Sequence, residues 1–145
     1  MTTDRARLAI AGTAALGLLI AAGGIDIGDF AAVSHGVRIL STTDHFSSGG
    51  IAGPMIPLEF RDVISKPIRI GRHAMVGANA VVLPGASFGT GATVGALSMV
   101  KTPLKPWTMN AGIPTRVIGM RNRGNVLARE KALLTRGRKG SPGPA

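Results

Sequence analysis

The chain has 145 residues, with 21 Gly, 9 Pro, four Phe, one Trp, no Tyr and no Cys, and 45% of it is hydrophobic against 17% charged. That length suits one domain, the hydrophobic fraction excludes wholesale disorder, and the lack of Cys excludes a disulfide framework, a thiolate nucleophile and any Cys-ligated metal site. The formal charge of +10 sits at one end: residues 1–100 hold seven Lys and Arg against six Asp and Glu, whereas residues 101–145 hold ten against Glu130 alone. A basic end on a near-neutral body argues against sequence-specific nucleic-acid binding, which needs a basic face on the fold.

In chain order, Leu8–Ala22 comes first, an apolar stretch behind Arg5 and Arg7. It is short for a membrane span, and no stop-transfer pattern follows. It therefore reads as the first, buried coil of the domain, with a secretory segment as the alternative. Ile27, Val33 and Ile39 then recur six apart, with Gly28 following the first. From Ile39 to Ile70 is 31 residues, one more than five hexads, so the register breaks between them. Residues 40–67, with Gly49, Gly50, Pro54, Pro57 and Pro67, read as a loop leaving the coil, and such loops in compact domains are functional or disordered.

The strongest signal runs from Ile70 to Val100. Every sixth residue is apolar (Ile70, Val76, Val82, Phe88, Val94, Val100), and four of the five followers are Gly: Gly71, Gly77, Gly89 and Gly95. The fifth place of each hexad is small as well, as Ala74, Ala80, Ala86, Ala92 and Ser98. A period of six fits no single helix or strand. It fits a triangular solenoid in which each short flat strand takes about one hexad and three hexads close a coil; the aliphatic points inward and small residues allow tight corners. Parallel strands stacked this way bury an Ile/Val/Leu ladder, so a core poor in aromatics suffices.

The period stops at Pro103 and Pro106, and a turn follows at Ala111-Gly112-Ile113-Pro114. Residues 125–135 predict a short helix with Asn125 as its cap, and the end from Gly137 to Ala145 predicts disorder. The expected organisation is a β-helix domain over 1–121 with its loop at 40–67, a C-terminal helix over 122–136 and a basic tail over 137–145.

The run IGRHAMVGANAVVLPGASFGTGATVGALSMV, followed by the proline break and AGIPTRVIG, resembles the hexapeptide-repeat acyltransferases, in particular the sugar O- and N-acetyltransferases and the xenobiotic acetyltransferases. The resemblance covers about residues 25–121. It implies a left-handed parallel β-helix, an exception to the right-handed crossover rule. It further implies a homotrimer with active sites between subunits, acetyl-CoA as acyl donor, a sugar or nucleotide-sugar acceptor and a cytoplasmic setting without a membrane span. Hexapeptide-repeat zinc proteins of the carbonic-anhydrase-like type are the competing class. The three His form no close His-x-x-x-His pair but can meet across a trimer, and no metal ligand is assigned.

Acyl transfer needs one base to take the proton of the acceptor as it attacks the thioester, and a backbone N–H to stabilise the oxyanion. The resemblance places that base at the end of a coil, after a Thr-rich stretch and before the long loop, where Ile39-Leu-Ser-Thr-Thr-Asp44-His45 stands. His45 is the candidate. The usual Thr-His-Pro-like string is absent, so Asp44 can occupy the base position instead, or orient a base or cap a turn. His35 can project into the same cleft, whereas His73 reads as a corner histidine whose hydrogen bonds are met by backbone. For the donor, the resemblance implies Gly77, Gly95, Ala96, Ser98 and Gly112 along the pantetheine arm, with Lys101 and Arg116 near the CoA phosphates. The glycines equally suit corners, and Trp107 either covers the last edge of the solenoid or packs on adenine.

Overall fold

The computed structural model describes residues 18–138, with side chains from 20 to 137. The expected first coil at Leu8–Ala22 and the expected disordered tail therefore lie largely outside the described residues. The part of the former that is described begins with β1 (Leu18–Ile20), after which β2 (Ile25–Ile27), β3 (Ala32–Val33) and β4 (Arg38–Leu40) each join a different parallel sheet. An antiparallel hairpin of β5 (Thr42–Asp44) and β6 (Val63–Ser65) interrupts this succession. It then resumes with β7 (Ile68–Ile70), β8 (Met75–Val76) and β9 (Val81–Val82), and again with β10 (Ser87–Phe88), β11 (Thr93–Val94) and β12 (Met99–Val100). The sheets are β1-β4-β9-β12, β2-β7-β10 and β3-β8-β11-β13-β14, where β13 (Thr108–Gly112) and β14 (Thr115–Met120) form the closing hairpin. The chain thus visits three parallel sheets in rotation.

Register explains the sequence spacing. Phe88 pairs with Ile70, Val94 with Val76 and Val100 with Val82, so one circuit of three hexads takes 18 residues. Across the excursion the partners are Ile27 with Ile70, Val33 with Val76 and Ile39 with Val82, each 43 apart, so 25 residues have been inserted into one circuit. That insertion is the register break seen between Ile39 and Ile70.

All six aliphatic positions from Ile70 to Val100 are buried, and with Ile39 and Ile68 they form the interior ladder. Ala74, Ala80, Ala86 and Ala92 are fully buried too. These small residues fill the narrow angles of the interior rather than merely easing the turns. The following glycines are required by close approach: a Cβ on Gly71, Gly77 or Gly89 would stand 2.5, 2.5 or 2.6 Å from backbone of the next circuit. The corners fall at the fourth place, between the second-place glycines and the fifth-place small residues that the sequence reading assigned to them. Phe30, Gly36, His73, Asn79, Gly85, Gly91 and Leu97, the fourth residue of each hexad, all have φ between +57° and +83°. Gly and Asn tolerate this left-handed region best, and Phe30 and His73 stack on each other between circuits.

After β14 comes α1 (Arg123–Arg138), which occupies the segment expected over 122–136 and starts two residues before the 125–135 stretch that predicted it. Its cap is Asn122, whose Oδ1 accepts the Asn125 N–H at 3.0 Å, so Asn125 is the capped residue rather than the cap.

Candidate functional site

The excursion leaves and returns through one buried serine. Ser41 donates its hydroxyl to Ile20 O at 2.7 Å and accepts the Gly23 N–H at 2.8 Å, while its carbonyl accepts Lys66 N–H from the returning chain at 2.9 Å. Between these points the hairpin is ordered where a loop was expected. Thr42 and Ser65 hydroxyls meet at 3.0 Å across it. Its tip carries Phe46 and Met55, each more than 90% exposed, with Ile51, Leu58 and Phe60 also exposed. Monomeric proteins rarely leave so many large apolar side chains in water, so this tip has the character of a contact surface.

β5 ends on the two adjacent candidates for the base. Asp44 Oδ1 accepts Arg61 Nη2 and Nε at 2.7 and 3.0 Å, and Oδ2 accepts the Gly53 N–H at 3.1 Å. The Arg61 hydrogen bonds first, then that of Gly53, hold the carboxyl below its ordinary range, so Asp44 is ionised. His45 is exposed; its backbone N–H donates to Asp62 O at 2.7 Å. The Nδ1 of His45 accepts the Ser47 N–H at 3.2 Å, which puts the ring proton of the neutral form on Nε2. His35 is exposed at the corner after β3, its carbonyl accepting the Asn79 N–H at 3.1 Å.

Two of the predicted donor positions, Gly77 and Gly95, line one groove. A groove of about 260 Å³ crosses successive circuits of the β3-β8-β11-β13-β14 sheet, lined by Ser34, Met75, Gly77, Gly95, Met109 and Ile118 among others. Ala96 lies against Gly77, and the buried Ser98 hydroxyl accepts the Gly112 N–H at 3.1 Å. The two groove glycines differ in what they are for. Gly77 has no room for a Cβ because Ala96 N of the next circuit would lie 2.5 Å away, whereas a Cβ on Gly95 meets Ala111 at an ordinary 3.4 Å. Winding therefore explains the first glycine but not the second. Lys101 and Arg116 are exposed and enter no ion pair among the described residues, and Arg116 pairs with Ala111 in the closing hairpin beside Gly112.

On another corner, Phe30, His73, Gly91 and Trp107 form a column. The Phe30 and His73 rings stack at 5.1 Å, and Trp107, 6.3 Å from His73, lies over Gly91, where any side chain would collide with the indole. Arg121 and Arg123 each stand 6.0 Å from the Trp107 ring, so this indole is built into the corner. His73 Nε2 donates to Glu130 Oε2 at 2.6 Å, and Arg72 bonds the other Glu130 oxygen and reaches Asp29 at 3.2 Å. The corner position matches the sequence reading, but the histidine is satisfied by a carboxylate from α1, which no local sequence pattern links to it. Among the described residues no three His, Asp or Glu side chains gather as a metal set, and no helix is long and apolar enough to cross a membrane.

This corner yields a pH prediction. Burial first, then Arg72 and Arg121, lower the pKa of His73 below its ordinary 6.5, so the folded histidine stays neutral where the unfolded one takes a proton. Its contribution to stability is complete above about pH 6.5 and is lost as pH falls from there towards the lower folded value. Urea midpoints are expected to drop on acidification in that window, and His73→Gln should flatten the slope. Asp44, also depressed, acts in a separate window below about pH 3.8.

Comparison with known proteins now becomes specific. No family model matches the chain. The dTDP-4-amino-4,6-dideoxy-D-glucose acyltransferase of Escherichia coli is 34% identical over 105 residues, 72% of this chain and 55% of that protein. The serine acetyltransferase of Escherichia coli K12 is 32% identical over 96 residues, 66% of this chain and 31% of its own. Among solved structures, AntD, an N-acyltransferase from Bacillus cereus in complex with dTDP and 3-hydroxybutyryl-CoA, matches with a TM-score of 0.80 at 32% identity, over 86% of this chain and 67% of that one. The winding and these likenesses define a hexapeptide-repeat protein. The chain belongs to the hexapeptide-repeat acyltransferase family. It spans about half the length of the curated relative that it matches at 34% identity.

Proposed function

We propose that the chain transfers an acyl group, acetyl in the simplest case, from acyl-CoA to the amino group of a nucleotide-linked sugar. The observation that carries this reading is the groove beside Gly95, open where the winding does not need a glycine and bordered by Ser98 and Gly112. An extended pantetheine arm suits such a strip of small residues, and the exposed Lys101 and Arg116, which enter no ion pair among the described residues, suit the CoA phosphates. AntD, bound to dTDP and 3-hydroxybutyryl-CoA, supports both substrates. The same likeness supports a left-handed β-helix. A homotrimer completes the site: the apolar hairpin tip would cover the neighbouring subunit, with each acceptor pocket between two chains. The setting is the cytoplasm, where CoA thioesters are held.

In the reaction the neutral amine attacks the thioester carbonyl carbon and the C–N bond forms. His45 takes the amine proton on the Nδ1 lone pair that Ser47 occupies in the free protein. Collapse of the tetrahedral intermediate breaks the C–S bond, and CoA departs as thiolate that regains a proton from the imidazolium. A backbone N–H lining the groove stabilises the oxyanion meanwhile. The test is thiol release from acetyl-CoA across a panel of nucleotide amino sugars, free sugars and aminoglycosides, run beside light scattering. Release with the nucleotide amino sugars by a trimer is expected. Release with aminoglycosides alone, or full activity as a monomer, contradicts the reading.

A further inference from the structure

Three separated points of the excursion converge on one carboxylate. Asp44 is on the outgoing strand and Arg61 precedes the returning strand, while Gly53 lies between them in the tip. Arg61 spends both Nε and Nη2 on the single oxygen Oδ1, and the Gly53 N–H fills only part of Oδ2. The two side chains are 17% and 22% exposed, so this is a half-buried pair with one oxygen left partly open. The next residue is His45, whose backbone is fixed to Asp62, the neighbour of Arg61. The charged and titratable groups around the carboxylate are thus Arg61 from the returning segment, with His45 and Asp62 adjacent in the chain. No acidic partner for Arg61 other than Asp44 appears among the described ion pairs.

We infer that Arg61 is a positioning residue: by fixing Asp44 through Oδ1 it sets the angle at which β5 presents His45 and leaves the part of Asp44 Oδ2 not taken by the Gly53 N–H to receive the acceptor amine. This rests on the acyl-transfer reading and extends it, because Arg61 touches no reacting atom and acts on the acceptor side alone. A mere clasp would instead hold the hairpin together for both substrates alike. Lys in its place keeps the charge but loses the two-pronged contact.

The full-length chain is assayed as Arg61→Gln, Arg61→Lys, Asp44→Asn and the Arg61→Gln/Asp44→Asn double variant. Arg61→Gln should lower kcat/KM for the amino-sugar acceptor about 10²-fold, the cost of a displaced reacting group. The KM for acyl-CoA and the thermal midpoint should stay within about twofold and a few degrees respectively. Arg61→Lys should recover part of the loss. In the Asp44→Asn background Arg61→Gln should cost nothing further, because the route through Asp44 is already gone. Equal losses on donor and acceptor sides with a lower thermal midpoint, or full additivity in the double variant, overturns the inference while the acyl-transfer reading stands. A wild-type chain that releases no CoA with any acceptor overturns that reading and this inference with it.

Discussion

His45→Ala is expected to lower turnover about 10²–10⁴-fold, the range for removal of a general base. Acyl-CoA affinity should change little, since His45 directly follows β5 and the groove proposed for the donor is lined from other strands. Any acid-side fall in the wild-type kcat/KM that belongs to the base should vanish in the variant. His35→Ala serves as the control and should cost less. His73→Ala should show its effect mainly in stability, because that ring is buried between Phe30 and Glu130. Near-normal rates for His45→Ala together with an inactive Asp44→Ala would transfer the base to the carboxylate. The acid limb would then lie below the ordinary carboxylate range, where Arg61 holds Asp44.

The two groove glycines should separate stability from binding. Gly77→Ala forces a Cβ to within 2.5 Å of the next circuit's backbone, which has no flexible side chain to give way. A loss of about 3 kcal/mol or failure to fold is expected, at the upper end of overpacking costs. Gly95→Leu has room for its Cβ and should fold with an unchanged thermal midpoint, yet its side chain would enter the groove. The KM for acyl-CoA should then rise at least about tenfold, equivalent to 1.4 kcal/mol of lost binding. Thermal melts and donor titrations on the same two variants check both halves. Equal destabilisation of the pair would return Gly95 to a purely structural role.

The winding was legible because interior positions repeat at six and each must be apolar, from Ile70 to Val100. Of the fourth-place corner residues only His73 reads as a corner in sequence, since Phe30, Gly36, Asn79 and Leu97 share no side-chain chemistry with it; they share only a backbone conformation. The Gly and Asn among them carried the readable part of that signal. The excursion was legible by its ends, as a broken register, but not by its content. Hairpin pairing between residues 42–44 and 63–65 depends on contacts across about twenty residues, and the Asp44–Arg61 pair is equally non-local. The Glu130 partnership of His73 spans 57 residues and belongs to packing alone. Asn125 stands just before the apolar positions and so reads as the cap in sequence, whereas the hydrogen bond it donates gives that place to Asn122.

Acyl-labelled acetyl-CoA incubated with the purified chain and dTDP-4-amino-4,6-dideoxyglucose tests the central claim most directly. Label is expected in the nucleotide sugar, in a one-to-one ratio with released CoA, absent without the acceptor and lost in His45→Ala. Label that stays on CoA, or appears as free acid independently of the sugar, would contradict the account.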